Sequence, residues 1–203
     1  MHPAYSVIVF TTCSGVGYGM LAFLGLVGMA HGHASSFLFG AVCLVIALAL
    51  ISIGLLSSML HLGHPERAWR AFSQWKSSWL SREGVASVST YGPALAFGAL
   101  WLWPESDTRL VAILGFVTML MCIVTVHCTA MIYASLKTIR QWHNRLVPFI
   151  YQAFALATGG LLLLFVAGLF GRGQPVQAGF ALAGLVLCVI LKLLYWRAID
   201  ADP

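Results

Sequence analysis

Six apolar runs, lying near residues 5–29, 36–60, 84–103, 109–133, 147–169 and 176–196 and separated only by short polar breaks, constrain this chain more than any motif in it. About 20 residues of α-helix cross roughly 30 Å of hydrocarbon. Lipid offers no partner to an unpaired backbone group, so closed helices are the economical fold for runs of this length. The composition agrees: 60% of residues are hydrophobic and 8% are charged, where a soluble domain carries about 25% charge. The expected fold is an all-α integral membrane protein, a bundle of about six transmembrane helices forming one domain over residues 1–203. The N-terminal stretch MHPAYSVIVF holds no Lys or Arg, and the run it opens is about twice a signal-peptide core, so it reads as an uncleaved first span.

The loops orient this bundle. With alternate loops on alternate sides, Arg67, Arg70, Lys76, Arg82, Lys137, Arg140, Arg145, Lys192 and Arg197 share one face, and Arg109 and Arg172 the other. Basic residues gather on the cytoplasmic side of a membrane protein, which places both termini and the 61–83 and 134–146 loops in the cytoplasm, as for a multi-pass protein of the cell inner membrane. The formal net charge of +5 is thereby a topology signal; nucleic-acid binding would need a basic domain outside the membrane.

Several conspicuous residues have plain readings. Cys13, Cys43, Cys122, Cys128 and Cys188 all fall inside spans and form no CxxC pair, as expected of small apolar packing residues. Gly15, Gly17 and Gly19 lack the spacing and the preceding strand of a dinucleotide site. Gly15 and Gly19 instead predict a small-residue face for close helix approach. His31 and His33 are expected to face solvent.

The stretch from Ser58 to Glu83, SMLHLGHPERAWRAFSQWKSSWLSRE, departs from this pattern by crowding polar residues at one membrane surface. The second span delivers His61 to that surface, and the third leaves it with Glu83 in its first turn. The two side chains can meet at one depth. His2 and Tyr5 of the first span and His127 of the fourth lie near the same level. Between them, residues 64–80 read as an interfacial amphipathic segment that starts at Pro65, with Ala68, Trp69, Phe72 and Trp75 on its apolar side. With Trp79 it would wall a pocket with an apolar body and a polar rim.

A quinone suits such a pocket, because its isoprenoid tail prefers lipid while its ring oxygens need hydrogen-bond donors and exchange protons on redox turnover. His61 can bond one oxygen and exchange a proton near neutral pH. Glu83 can relay protons to the cytoplasm, and Arg67 can stabilise negative charge on the ring or hold Glu83 ionised. Taken singly, each has a duller reading. A His at a helix end snorkels, Arg and Trp anchor helices at the interface, and His127 serves as an interhelical hydrogen-bonder. The coincidence of His61, Arg67 and Glu83 at one depth points to a site.

The string His61-Leu62-Gly63-x-Pro65-x-Arg67-Ala68-Trp69, followed by Ser77-Ser78-Trp79-Leu80-Ser81-Arg82-Glu83, resembles the membrane anchor subunits of the dimethyl-sulfoxide-reductase type, distantly related to the polysulfide-reductase and nitrite-reductase anchors. The N-terminal MHPAYSVIVFTT is most similar to the anchors of cytoplasmic sulfite dehydrogenases. The resemblance implies a haem-free, metal-free subunit that exchanges electrons with ubiquinone or menaquinone. It also implies that the subunit tethers a four-cluster iron–sulfur protein and a molybdopterin catalytic subunit. His61 and Glu83 match the positions associated with quinol binding, and Gly63 and Arg67 match their neighbours. Members commonly have eight spans; six are counted here, so a short member and a sequence lacking C-terminal spans both stay open.

Two other classes differ in sequence terms. A b-type cytochrome anchor needs facing His pairs inside the bundle, whereas only His127 lies well within a span. A small transporter needs charges or broken helices near the midplane, and these interiors are almost free of charge. The expectation is therefore a quinone-reactive anchor of a sulfite dehydrogenase, with a quinol-oxidising anchor of a dimethyl sulfoxide or related reductase as the alternative. If the basic face is cytoplasmic, a cysteine placed at Lys76 or Arg140 should resist a membrane-impermeant thiol reagent in intact cells and react after permeabilisation. Labelling of either position from outside would reverse the topology.

Overall fold

The structure, a computed structural model, describes residues 5–59, 65–173 and 175–201. They form six long helices, α1 (Tyr5–His31), α2 (Phe37–Met59), α3 (Trp79–Leu102), α4 (Thr108–Ala134), α5 (Val147–Leu169) and α6 (Pro175–Asp200), plus a 3-10 helix at Pro65–Gln74. No strand occurs among the described residues, and all six α-helices are long and apolar enough to cross a membrane. The protein is an all-α integral membrane protein. Its helices follow the six apolar runs, and consecutive ones run in opposite directions. The starts of α1, α3 and α5 therefore share one end of the bundle with the finishes of α2, α4 and α6.

One boundary differs in a way that matters. α3 begins at Trp79, five residues before the apolar run, because Ser78 is extended and its hydroxyl accepts a bond from the Ser81 amide. A serine cap satisfies an otherwise orphaned helix-start N–H, so the helix extends outward through a polar stretch that hydropathy alone leaves outside. Glu83 consequently sits in the second turn rather than the first.

α1 is the central post, packed against α2, α4 and α5, while α3 leans on α4 and α6 touches the bundle chiefly through α5. Close approach explains that centrality. A Cβ at Gly19 would run into the Ala155 backbone, and one at Gly159 into the backbone of Gly19 and Met20. Gly25 and Gly115 meet in the same manner between α1 and α4. Of the predicted pair, Gly19 makes this contact but Gly15 does not, since nothing lies within 4 Å of a Cβ placed there. The helices cross at Gly19 and have already diverged one turn earlier.

Around the post, Phe97 and Trp101 of α3 stack with ring centroids 5.4 Å apart, and Tyr18, Met20, Leu21, Leu24 and Ile51 complete the core. Interhelical hydrogen bonds tie the outer helices on. Ser52 and Tyr91 hydroxyls lie 2.7 Å apart between α2 and α3, Thr90 and Thr125 hydroxyls 3.1 Å apart between α3 and α4, and the Gln152 side-chain amide donates to Ile123 O at 2.6 Å between α5 and α4. In lipid such bonds contribute about 0.6–2 kcal/mol each.

The cysteines are free and in the helices as expected, four buried and Cys13 partly so. His31 is exposed, but His33 is half-buried, packed in the short α1–α2 connection that Gly32 turns with φ of 74°.

Gly19→Leu should separate α1 from α5, because the obstructing atoms are backbone and cannot rotate away. A loss of about 1–3 kcal/mol or more is expected, read as a lower thermal midpoint in detergent. Gly92→Ala, with nothing within 4 Å of the added carbon, should leave the midpoint unchanged or raise it slightly.

Candidate functional site

Among the described residues, one buried side chain is charged: Glu83, 6% exposed. A carboxylate out of water is costly unless hydrogen-bonded, and Ser87, one turn further along α3, donates its hydroxyl to Glu83 Oε1 at 2.8 Å. Tyr18 of α1 and Cys128 and Tyr133 of α4 lie within electrostatic reach of its carboxylate. The Tyr18 hydroxyl lies toward Ser87 yet completes no hydrogen bond among the described residues.

The outer rim is built by the residues just before α3. Arg82 turns back over this connection, its Nε donating to Trp75 O at 3.0 Å and its Nη2 to Lys76 O at 2.7 Å. The same guanidinium lies 4.3 Å above the Trp79 ring. Trp79 in turn meets the His127 ring edge-on, centroids 6.2 Å apart. Phe72 of the 3-10 helix packs beside Gly84, where the missing side chain leaves room for its ring. The polar stretch is thus stitched to the start of α3 by one arginine and one phenylalanine.

The structure gathers some of the predicted residues and not others. Glu83 and Trp79 are in place on α3. Arg67 and Trp69 belong to the 3-10 helix, as the amphipathic reading of 64–80 requires, but Trp69 is 66% exposed and Trp75 also points outward. They face the surroundings instead of walling a pocket, and of the apolar residues 69, 72 and 75 it is Phe72 that packs against α3, beside Gly84. His61, Gly63 and His2 lie outside the described residues. Tyr5 is 84% exposed and does not join the group. His127 is exposed on the outside of α4 and meets Trp79 edge-on, with no hydrogen bond across helices among the described residues.

Two residues escaped the sequence reading. Ser87 lies four positions after Glu83, a helical spacing that could have revealed it. Tyr18 carries no local signal, because only the α1–α3–α4 packing brings it to Glu83. As for metals, no group of three or more His, Cys, Asp and Glu side chains converges among the described residues.

The sequence profile of the family described as DMSO reductase anchor subunit (DmsC) matches residues 1–196. The chain belongs to this family. It is 37% identical to the C subunit of the sulfite dehydrogenase of Allochromatium vinosum, over 94% of this chain and 62% of that protein. It is 26% identical to the C chain of the anaerobic dimethyl sulfoxide reductase of Escherichia coli K12, over 95% of this chain and 67% of the relative. The chain thus spans about two thirds of the length of these two relatives. No solved structure matches it.

Because Arg82 joins the connection to the helix, Arg82→Met should loosen residues 74–78 without unfolding the bundle. Losing the ring contact alone costs about 0.5–1 kcal/mol. Faster amide exchange or protease cleavage confined to that turn, with an unchanged thermal midpoint, is the expected result.

Proposed function

We propose that this DMSO reductase-type anchor is the quinone-reactive subunit of a molybdopterin and iron–sulfur oxidoreductase in the cell inner membrane. It passes electrons between an iron–sulfur partner and the quinone pool. The observation that carries the reading is Glu83, a buried carboxylate held by Ser87 about 6 Å, or four residues of helix rise, inside the end of α3. An ionisable group at that depth is retained for chemistry more readily than for stability. It stands close enough to one membrane surface to exchange protons with water and deep enough to meet a lipid-borne ring.

Reduction of a quinone takes two electrons and two protons, and its oxidation releases them. The electrons belong to the partner, whose clusters must approach the ring; the protons fall to this chain. Glu83 is its proton carrier, and His61 and Arg67 are the proposed donors to the ring from the connection that precedes it, with Gly63, Trp69 and Trp79 beside them. The partner docks against the 61–83 and 134–146 loops, which the basic-residue count assigns to the cytoplasm. Neither haem nor a metal is assigned to this subunit. Similarity to the sulfite dehydrogenase C subunit favours sulfite oxidation with quinone as acceptor. The likeness to the C chain of dimethyl sulfoxide reductase supports a quinol-oxidising anchor as the second reading.

His61→Ala and Glu83→Gln, each in the assembled complex, should lower turnover with a quinone analogue by about 100-fold or more, the usual worth of a placed proton carrier. Turnover with a soluble dye, which bypasses the anchor, should stay at the wild-type level. Quinone-linked rates within about threefold of wild type in both variants, the range of neutral surface changes, would remove these residues from the site.

A further inference from the structure

Where α1 and α5 diverge beyond Gly19, a cleft opens between α1, α4, α5 and α6. It comprises two adjoining hollows of about 260 and 330 Å³ that share Thr11, Ile150, Tyr151 and Lys192. The outer one is bounded by Val7, Tyr133, Trp142 and Tyr195, so it lies at the basic end of the bundle, where α1 begins. The inner one runs on as far as Tyr18 of α1 and Thr158 of α5. From Val7 to Tyr18 the helix rises about 16 Å, and one leaflet of a bilayer contributes about 15 Å of hydrocarbon. The cleft has the depth of one acyl layer.

The inner hollow is apolar in effect, because its threonines commit their protons within their own helices. Thr12 donates to Ile8 O at 2.6 Å, Thr129 to Thr125 O at 3.1 Å and Thr158 to Phe154 O at 2.6 Å. At the outer hollow the Tyr195 hydroxyl is committed too, donating to Gln141 O at 2.7 Å. Lys192 is the one charged side chain that lines either hollow among the described residues. Its Nζ lies 4.7 Å from the Tyr195 ring centroid and 5.6 Å from that of Trp196. Both rings belong to the next turn of α6 toward the basic end, so the amine is turned outward to the mouth of the cleft. Around that mouth Tyr133 stacks on Tyr151 with centroids 5.6 Å apart and meets Trp142 edge-on at 5.1 Å. Tyr and Trp gather at the headgroup level of membrane proteins, which puts the outer hollow where lipid phosphates lie. Arg145, exposed, stands in the chain between the rim residues Trp142 and Val147 and brings a second cation to the same end.

An ammonium in a cleft open to the bilayer is costly to keep unless an anion meets it. A soluble anion answers the charge but not the apolar hollow beneath. A neutral apolar ligand fills the hollow but leaves the charge without a counter-ion. A molecule with an anionic head and a hydrocarbon tail answers both, and basic pockets between membrane helices bind lipid headgroups of this kind. We propose that the cleft holds one anionic phospholipid, with its phosphate against Lys192 at the mouth and one acyl chain in the inner hollow. The lipid fastens α6, which otherwise leans chiefly on α5, to α1 and α4. The site is separate from Glu83 on α3 and from the connection that precedes it, and it does not rest on the quinone reading.

The test uses the full chain in phosphatidylcholine vesicles containing a trace of phosphatidylglycerol with a photoreactive acyl chain. Label should map to the stretches of α1 and α5 that line the inner hollow. Unlabelled phosphatidylglycerol should displace it, whereas added phosphatidylcholine, inorganic phosphate or a short-chain quinone should not. Lys192→Met, which keeps the stem and removes the charge, should lower the displaceable label about tenfold or more, as expected for a lost bond to a charged donor, and Lys192→Arg should retain most of it. Gly15→Leu is a second check. Gly15 lines the inner hollow and nothing lies within 4 Å of a Cβ placed there, so the added side chain should occupy the hollow and exclude the acyl chain while the bundle stays folded. Phosphatidylglycerol added to the delipidated wild type in neutral detergent should raise the thermal midpoint by about 5–10 °C at a hundredfold excess over Kd and leave that of Gly15→Leu unmoved. Label displaced equally by phosphatidylcholine, or label unchanged in either Lys192→Met or Gly15→Leu, would mean bulk lipid only and overturn the site. Displacement by inorganic phosphate would reduce it to a site for free anions, and displacement by the quinone would give the cleft to a neutral ring; either result removes the phospholipid.

Discussion

With no side chain at Gly19 or Gly159, α1 and α5 touch through their backbones, and in lipid that contact has to be held by packing, because the tails outside are as apolar as the helices. The contact makes α1 the post against which α2, α4 and α5 stand. It also fixes where α1 and α5 must part, one turn toward the α1 start, so this close contact determines the position of an opening between them. Gly25 and Gly115 do the same for α4, which carries α3, and α3 carries Glu83. The depth and neighbours of the carboxylate are in this sense set by two pairs of glycines on other helices.

The polar groups of the bundle divide by what they do with their protons. Most hydroxyls within the spans donate to a carbonyl one turn back in their own helix, which removes the cost of burying them but commits them locally. The Thr90–Thr125 and Ser52–Tyr91 contacts instead link helices. Glu83, Ser87, Tyr18 and Lys192 fit neither pattern. Among the described residues, Glu83 is a carboxylate whose hydrogen-bond partner is Ser87, Tyr18 is a phenol at the middle of α1 with no completed hydrogen bond, and Lys192 is an amine near the end of α6 in no ion pair. Lipid penalises each of them, which is why they carry functional weight in a membership that the DMSO reductase anchor family already defines.

Some of this was legible in the residues. The six spans follow from apolar length alone, and α5 falls at the boundaries expected. The start of α3 was missed because a serine cap, not hydropathy, begins the helix there. Glu83 was legible as a charge where charge is expensive, and Pro65 as the start of the interfacial helix. The exposure of Trp69 and Trp75 was not, since it depends on how this segment lies against α3. Gly15 and Gly19 have the same sequence signal, yet only one touches α5; the difference is the crossing angle, which neither residue encodes. His61 and Gly63 stand on motif and resemblance.

The sequence by itself determined that the protein lies in a membrane, how many described segments cross it, which end is basic and where a carboxylate interrupts the apolar pattern. These follow from one-dimensional quantities: run length, charge and spacing along a helix. Only the tertiary structure decided that Tyr18 lies toward Ser87 across two helices, that Lys192 faces a cleft instead of the open bilayer, and that Arg82 folds back over Trp79. Each depends on which faces of separate helices meet. In a bilayer that choice is made by close packing of small residues and by a few hydrogen bonds, since a uniformly apolar sequence marks no face of the helix as the inner one.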